Sequence, residues 1–136
     1  FLRRSSAADG GQRYLIGRLA LAHQALIKAA IEYGLKQRNI PYDELYLTDQ
    51  ATLYCSELVV DMFKHANGGQ QFFEEHPMSF RDPSSGEIHP AWVEYYARFG
   101  MAVPDGEPGS NPGTISKDAR LHVIHVQGPP IGYIDG

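Results

Sequence analysis

A chain of 136 residues, 43% hydrophobic and 21% charged, has the size and composition of one globular domain, long enough to bury a core. Its formal net charge of −4, with no basic run beyond Arg3-Arg4, argues against nucleic acid or an anionic membrane as principal partner and leaves a small or peptide-like one. One cysteine excludes an intrachain disulfide and a cysteine-built zinc site, and no apolar run approaches the roughly 20 residues that span a bilayer.

Residue 1 is Phe rather than Met and no signal peptide is present, so the sequence reads as lacking something upstream of Phe1. Residues 1–11 read as a connector that closes on the turn signal Asp9-Gly10-Gly11. Arg13-Tyr14-Leu15-Ile16 is aromatic and β-branched enough for a short strand, which Gly17 ends. The spacing then predicts a long helix from Leu19 to Arg38. Its apolar stripe is Leu19, Ala22, Leu26, Ala29, Ala30 and Tyr33, opposite a solvated row of Lys28, Glu32 and Lys36. Asn39 and Pro41 stop it.

Leu53 to Phe63 is the informative stretch. Cys55, Leu58, Val59, Met62, Phe63 and Ala66 fall at i, i+3, i+4, i+7, i+8 and i+11, one apolar stripe of a helix that Thr52 can cap and Asn67-Gly68-Gly69 ends. Cys55 thus stands at the helix N-terminus, where unpaired N–H groups and the positive end of the dipole favour thiolate. The plainer reading is a small buried hydrophobe. Beyond this helix, residues 76–83 read as a packed surface loop, Pro90 to Phe99 as a short helix with proline in its first turn, and Val103 to Asn111 as a loop. Leu121 to Val126 is a strand, and a Gly/Pro-rich tail follows from Gly128.

A cysteine nucleophile needs a base, normally histidine, and donors for the developing oxyanion. Six histidines are present. His23 and His65 fall in helical patterns, His76 and His89 in loops beside proline, and His122 and His125 on the last strand. Strand residues three apart point to opposite faces, so at most one of His122 and His125 faces the thiol, and the same geometry weakens a zinc reading of the pair.

Tyr54-Cys55-Ser56-Glu57-Leu58-Val59, preceded by Pro41-Tyr42-Asp43 and followed by Phe63, resembles the cysteine motif of the YiiX-like branch of permuted papain-fold hydrolases, relatives of the NlpC cell-wall peptidases. The Gly17-Arg18-Leu19 step and Pro108-Gly109-Ser110-Asn111-Pro112 carry the likeness over most of residues 5–120. The resemblance implies an α+β papain-like fold, helices on an antiparallel sheet, with residues 1–136 a single domain forming the C-terminal portion of a permuted unit. It carries Cys55 over as the catalytic nucleophile. In that branch the catalytic histidine and its orienting partner precede the cysteine helix, which implies that both lie upstream of Phe1. Tyr42 and Asp43 precede the nucleophile closely enough to line its cleft, although Asp43 also suits a turn, and Tyr54 and Ser56 adjoin it. These four are the expected substrate-binding residues. The implied function is thiol hydrolysis of an amide or ester in a cell-wall peptide or lipid-linked substrate, in the cell envelope, with no cofactor or metal. The rival reading is a non-catalytic binding module that keeps the cleft.

Overall fold

In the computed structural model, which describes residues 10–47 and 51–128, the first strand runs past Gly17: β1 is Tyr14–Leu19, paired antiparallel with the last strand, β4, Leu121–Gln127. The register steps between Ile16, opposite His125, and Gly17, opposite Val123, so Ile124 is the extra residue of a β-bulge. Sequence spacing ends the strand at Gly17. The pairing carries it to Leu19, and the Ala20 N–H donates to the Arg120 carbonyl at 2.8 Å. The expected long helix therefore loses its first turns to the sheet and to a single 3₁₀ turn, Leu21–His23; α1 proper is Leu26–Lys36. Of the predicted stripe, Leu19 and Ala30 are buried while Ala22 and Ala29 are exposed. The opposite row is solvated, as expected, with an exposed Lys28–Glu32 pair at 4.0 Å.

The second helix, α2, is Cys55–Ala66, and it ends at Asn67 followed by Gly68 and Gly69 in left-handed backbone, as the sequence predicts. Its N-cap is Tyr54 rather than Thr52. Its most buried residues are Ser56, Glu57 and Val60, and Cys55 is exposed, so the buried face is rotated from the predicted stripe. The reason is hydrogen bonding: Ser56 and Glu57 have polar partners inside the fold and are buried at little cost. α1 packs on α2 through Gly34, where a Cβ would lie 2.8 Å from the Met62 sulfur, and through Tyr33, stacked on His65 at 4.5 Å.

The core gathers Leu19, Val60, Phe72 and Phe73, with Leu26, Val59, Phe63, Ile115 and Leu121 against it. Phe72 and Phe73 meet edge-to-face at 4.9 Å, and both contact Phe63. The 76–83 loop opens on a two-residue strand, β2, His76–Pro77, paired with β3, Pro108–Gly109. Between them lies α3, Pro90–Ala97, with proline in its first turn and His89 as N-cap, its Nδ1 accepting the Ala91 N–H at 3.2 Å. A short helix that sequence reading did not anticipate, α4, Pro112–Ser116, is capped by Asn111, whose Oδ1 accepts the Thr114 N–H at 2.9 Å. Among the described residues no helix is long and apolar enough to cross a membrane.

Arg120 covers the core edge, its guanidinium 4.3 Å from the Phe72 ring centre, and pairs with Asp118 at 2.6 Å. The Arg120 side-chain hydrogen bonds hold the Asp118 carboxyl below the usual carboxylate range. A depressed folded-state value stabilises above the unfolded value of about 4 and is lost as pH falls through it. Asp118→Asn is expected to lower urea-unfolding stability by about 1 kcal/mol at pH 7, with the gap to wild type closing progressively below about pH 4. A constant gap between pH 7 and pH 3 would contradict this.

Candidate active site

Cys55 is the first residue of α2, a position at which the helix supplies no acceptor for the amide. The helix start is fixed from both sides. The Tyr54 N–H donates to Glu57 Oε2 at 3.3 Å, the reciprocal half of a capping box, and Glu57 is only 5% exposed. The Glu57 carboxylate therefore turns back along the first turn while the cysteine faces out.

A second constraint comes from the segment before α4. The Ser56 hydroxyl donates to the Ser110 carbonyl at 2.9 Å, and the Ser110 N–H donates to the Tyr54 hydroxyl at 3.1 Å. One backbone residue, 54 or more positions downstream, is thus held by both neighbours of Cys55. Ser56→Ala leaves the buried Ser110 carbonyl without that donor and is expected to cost about 1–3 kcal/mol of stability. Chemical denaturation checks it, and a loss below about 0.5 kcal/mol would show that the latch carries no weight.

A third element approaches from upstream. The Asp43 N–H donates to the Leu53 carbonyl and the Leu53 N–H to the Pro41 carbonyl, both at 3.1 Å, a parallel bridge that lays Tyr42 beside the start of α2. Tyr42 is 56% exposed, and burial, then interaction with Tyr46 and with Cys55, pushes its pKa up to about 12.

Two cavities meet at Cys55, Ser56 and Pro112. One, about 340 Å³, is apolar, walled by Leu15, Gly17, Val59, Ile115 and Leu121. The other, about 400 Å³, is aromatic and includes Tyr42, Tyr46, Tyr54, Phe80 and Trp92. Of the residues expected at the substrate, Tyr42, Tyr54 and Ser56 line the aromatic cavity. Asp43 is not among its lining residues: it is 3% exposed, and its two carboxylate oxygens accept the Leu45 and Leu47 N–H groups, each at 2.7 Å. Sequence reasoning missed Tyr46, Phe80, Trp92 and Ser110. For Tyr46 the available signal was the tyrosine spacing Tyr42, Tyr46, Tyr54 before the cysteine; the others arrive by tertiary contact and leave no local mark.

No histidine lines either cavity among the described residues. His23 packs edge-on to Phe72, His65 stacks on Tyr33, His89 caps α3 and His76 lies in β2. The bulge revises the strand argument. His122 is opposite Arg18 and His125 opposite Ile16, two residues apart on β1, which puts both histidines on one face of the sheet. That face is the one away from Leu15, Gly17 and Leu121 at the thiol cavity, and His125 lies against Tyr14 on it, 5.7 Å between ring centres.

A family model described as the permuted papain-like amidase enzyme, YaeF/YiiX, C92 family, matches residues 1–125. Comparison with curated proteins gives no match. Among solved structures, that of YiiX from Escherichia coli O157:H7, described as a metalloprotein, is similar with a TM-score of 0.59 at 21% identity. The match covers 87% of this chain and 63% of that one, so this chain spans less than two thirds of that protein. Among the described residues no group of three or more His, Cys, Asp or Glu side chains is placed to hold a metal ion. The mixed helix and antiparallel-sheet fold has a papain-like neighbour, and with the family model matching nearly the whole sequence, the chain belongs to the family of permuted papain-like amidases.

Proposed function

We propose that the protein is a thiol hydrolase that cleaves an amide or ester bond through a thioester on Cys55. The observation that carries this reading is the exposed thiol at the N-terminus of α2, facing two cavities that meet at it. The Cys55 sulfur, as thiolate, attacks the substrate carbonyl carbon; the carbonyl electron pair moves to oxygen, and the Cys55 amide is the candidate donor to that oxyanion. Collapse expels the amine or alkoxide, which takes a proton, and water then attacks the thioester to release the acid and restore the thiol. Tyr42 lines the same cavity as the thiol.

The base that removes the thiol proton is assigned outside the described residues, because the chain's six histidines are placed elsewhere. The family resemblance supports a histidine and its partner upstream of Phe1. It also supports a cell-envelope location and a cell-wall peptide or lipid-linked substrate. The test is acylation: an activated acyl ester should leave its acyl group on Cys55 of the full-length protein. If the protein takes up neither acyl group nor substrate turnover while still binding a ligand in the cavity, the binding-module reading replaces this one.

A further inference from the structure

Tyr46 is the residue whose backbone has most to explain. Its φ of 56° lies in the left-handed region, where it stands alone among the described non-glycine residues. For a bulky aromatic residue that conformation is costly and persists only where the surroundings impose it. Here they do. The buried Asp43 carboxylate accepts the amides on both sides of Tyr46, those of Leu45 and Leu47. From α3, the Tyr95 hydroxyl donates to the Glu44 carbonyl and the Tyr96 hydroxyl to the Leu45 carbonyl, both at 2.8 Å. Four hydrogen bonds thus hold the loop in a shape its own residues disfavour.

The product of that shape is a wall. The Tyr46 ring stands edge-to-face with Tyr54 at 5.6 Å and with Trp92 at 6.2 Å, and all three line the 400 Å³ cavity that also holds Cys55. Tyr42 and Phe80 complete the aromatic lining. Among the described residues no Lys, Arg, Asp or Glu side chain lines this cavity. Ring quadrupoles favour a cation that is large and weakly hydrated.

We infer that the aromatic cavity beside Cys55 receives an alkylated ammonium group, held against Tyr46, Tyr54 and Trp92. Resting on the hydrolase reading, this makes the substrate an amide or ester that carries such a cation on one side of the scissile bond. The same recognition follows from the cavity alone, so it is measured without turnover.

The experiment uses tetramethylammonium and choline as cations and 3,3-dimethyl-1-butanol as the neutral isostere of choline. Each is titrated into the full-length protein, with binding read from intrinsic fluorescence and the signal assigned by its loss in Trp92→Phe. Choline is expected to bind saturably and at least about tenfold more tightly than its neutral isostere. Tyr46→Ala is expected to weaken choline at least about fivefold, with Tyr46→Leu as the second variant should the alanine form fail to fold. Equal binding of choline and the neutral isostere, or no saturable cation signal in a folded protein, would overturn the inference. Either result can occur while a neutral activated ester still acylates Cys55, so failure here and failure of the hydrolase reading are separable.

Discussion

Replacing Cys55 by alanine is expected to abolish hydrolysis, with a loss of at least about 10³-fold in kcat/KM, and to leave the fold intact. Both halves follow from position. The side chain is exposed at the first residue of α2, so truncation opens no cavity, and the stability change should stay within about 0.5 kcal/mol. The helix start is held by neighbours instead, through Tyr54 to Glu57 and through Ser56 and Tyr54 to Ser110. Loss of the nucleophile removes the covalent route entirely, and knock-outs of such residues cost several orders of magnitude. Steady-state hydrolysis and a thermal melt on the same preparation separate the two effects. An inactive variant that has also lost its melt would assign the cysteine to the core.

The largest expected effect on stability is at Phe73. It is 2% exposed and meets Phe72 and Phe63 edge-to-face, between the sheet side of the core and α2. Phe73→Ala removes a ring from a packed cluster and is expected to cost about 3–5 kcal/mol, a large part of the roughly 5–15 kcal/mol that a domain of this size has. Equilibrium denaturation gives the number directly. A cost under about 1 kcal/mol would mean that the Phe63–Phe72–Phe73 cluster does not organise the fold. Because α2 packs on this cluster through Val59, Val60 and Phe63, the same substitution is expected to loosen the Cys55 end of the helix.

Why some of this is legible in the sequence and some is not can be seen in α2. Its existence and its C-terminal end follow from apolar spacing and from Asn67-Gly68-Gly69, local signals that tertiary structure left alone. Its buried face does not follow, because Ser56 and Glu57 are buried by bonds to Ser110 and Tyr54 that no spacing rule registers. The first predicted helix begins too early for a related reason. Leu19 fits the apolar spacing of that helix, but β4, more than a hundred residues away, offers it a pairing partner. His122 and His125 show the same limit in small form: alternation puts them on opposite faces until the bulge at Ile124 returns them to one.

The site divides along the same line. Cys55 and its flanking motif stand in one continuous stretch and were open to sequence reasoning, as was Tyr42, which the Tyr42–Leu53 bridge brings to the thiol. Tyr46, Phe80, Trp92 and Ser110 come from four further segments and meet only in the fold. Asp43 was expected at the substrate because of where it falls in the chain, whereas its carboxylate organises the loop that presents Tyr46.

The central claim is that Cys55 carries the acyl group between two half-reactions. The most direct measurement treats the full-length protein with an activated acyl ester, quenches in acid, and maps the added mass by peptide mass spectrometry. The account predicts one acyl group on the peptide containing Cys55, removed by neutral hydroxylamine as a thioester is and absent in Cys55→Ala. An adduct on any other residue, or undiminished turnover by Cys55→Ala, would contradict it.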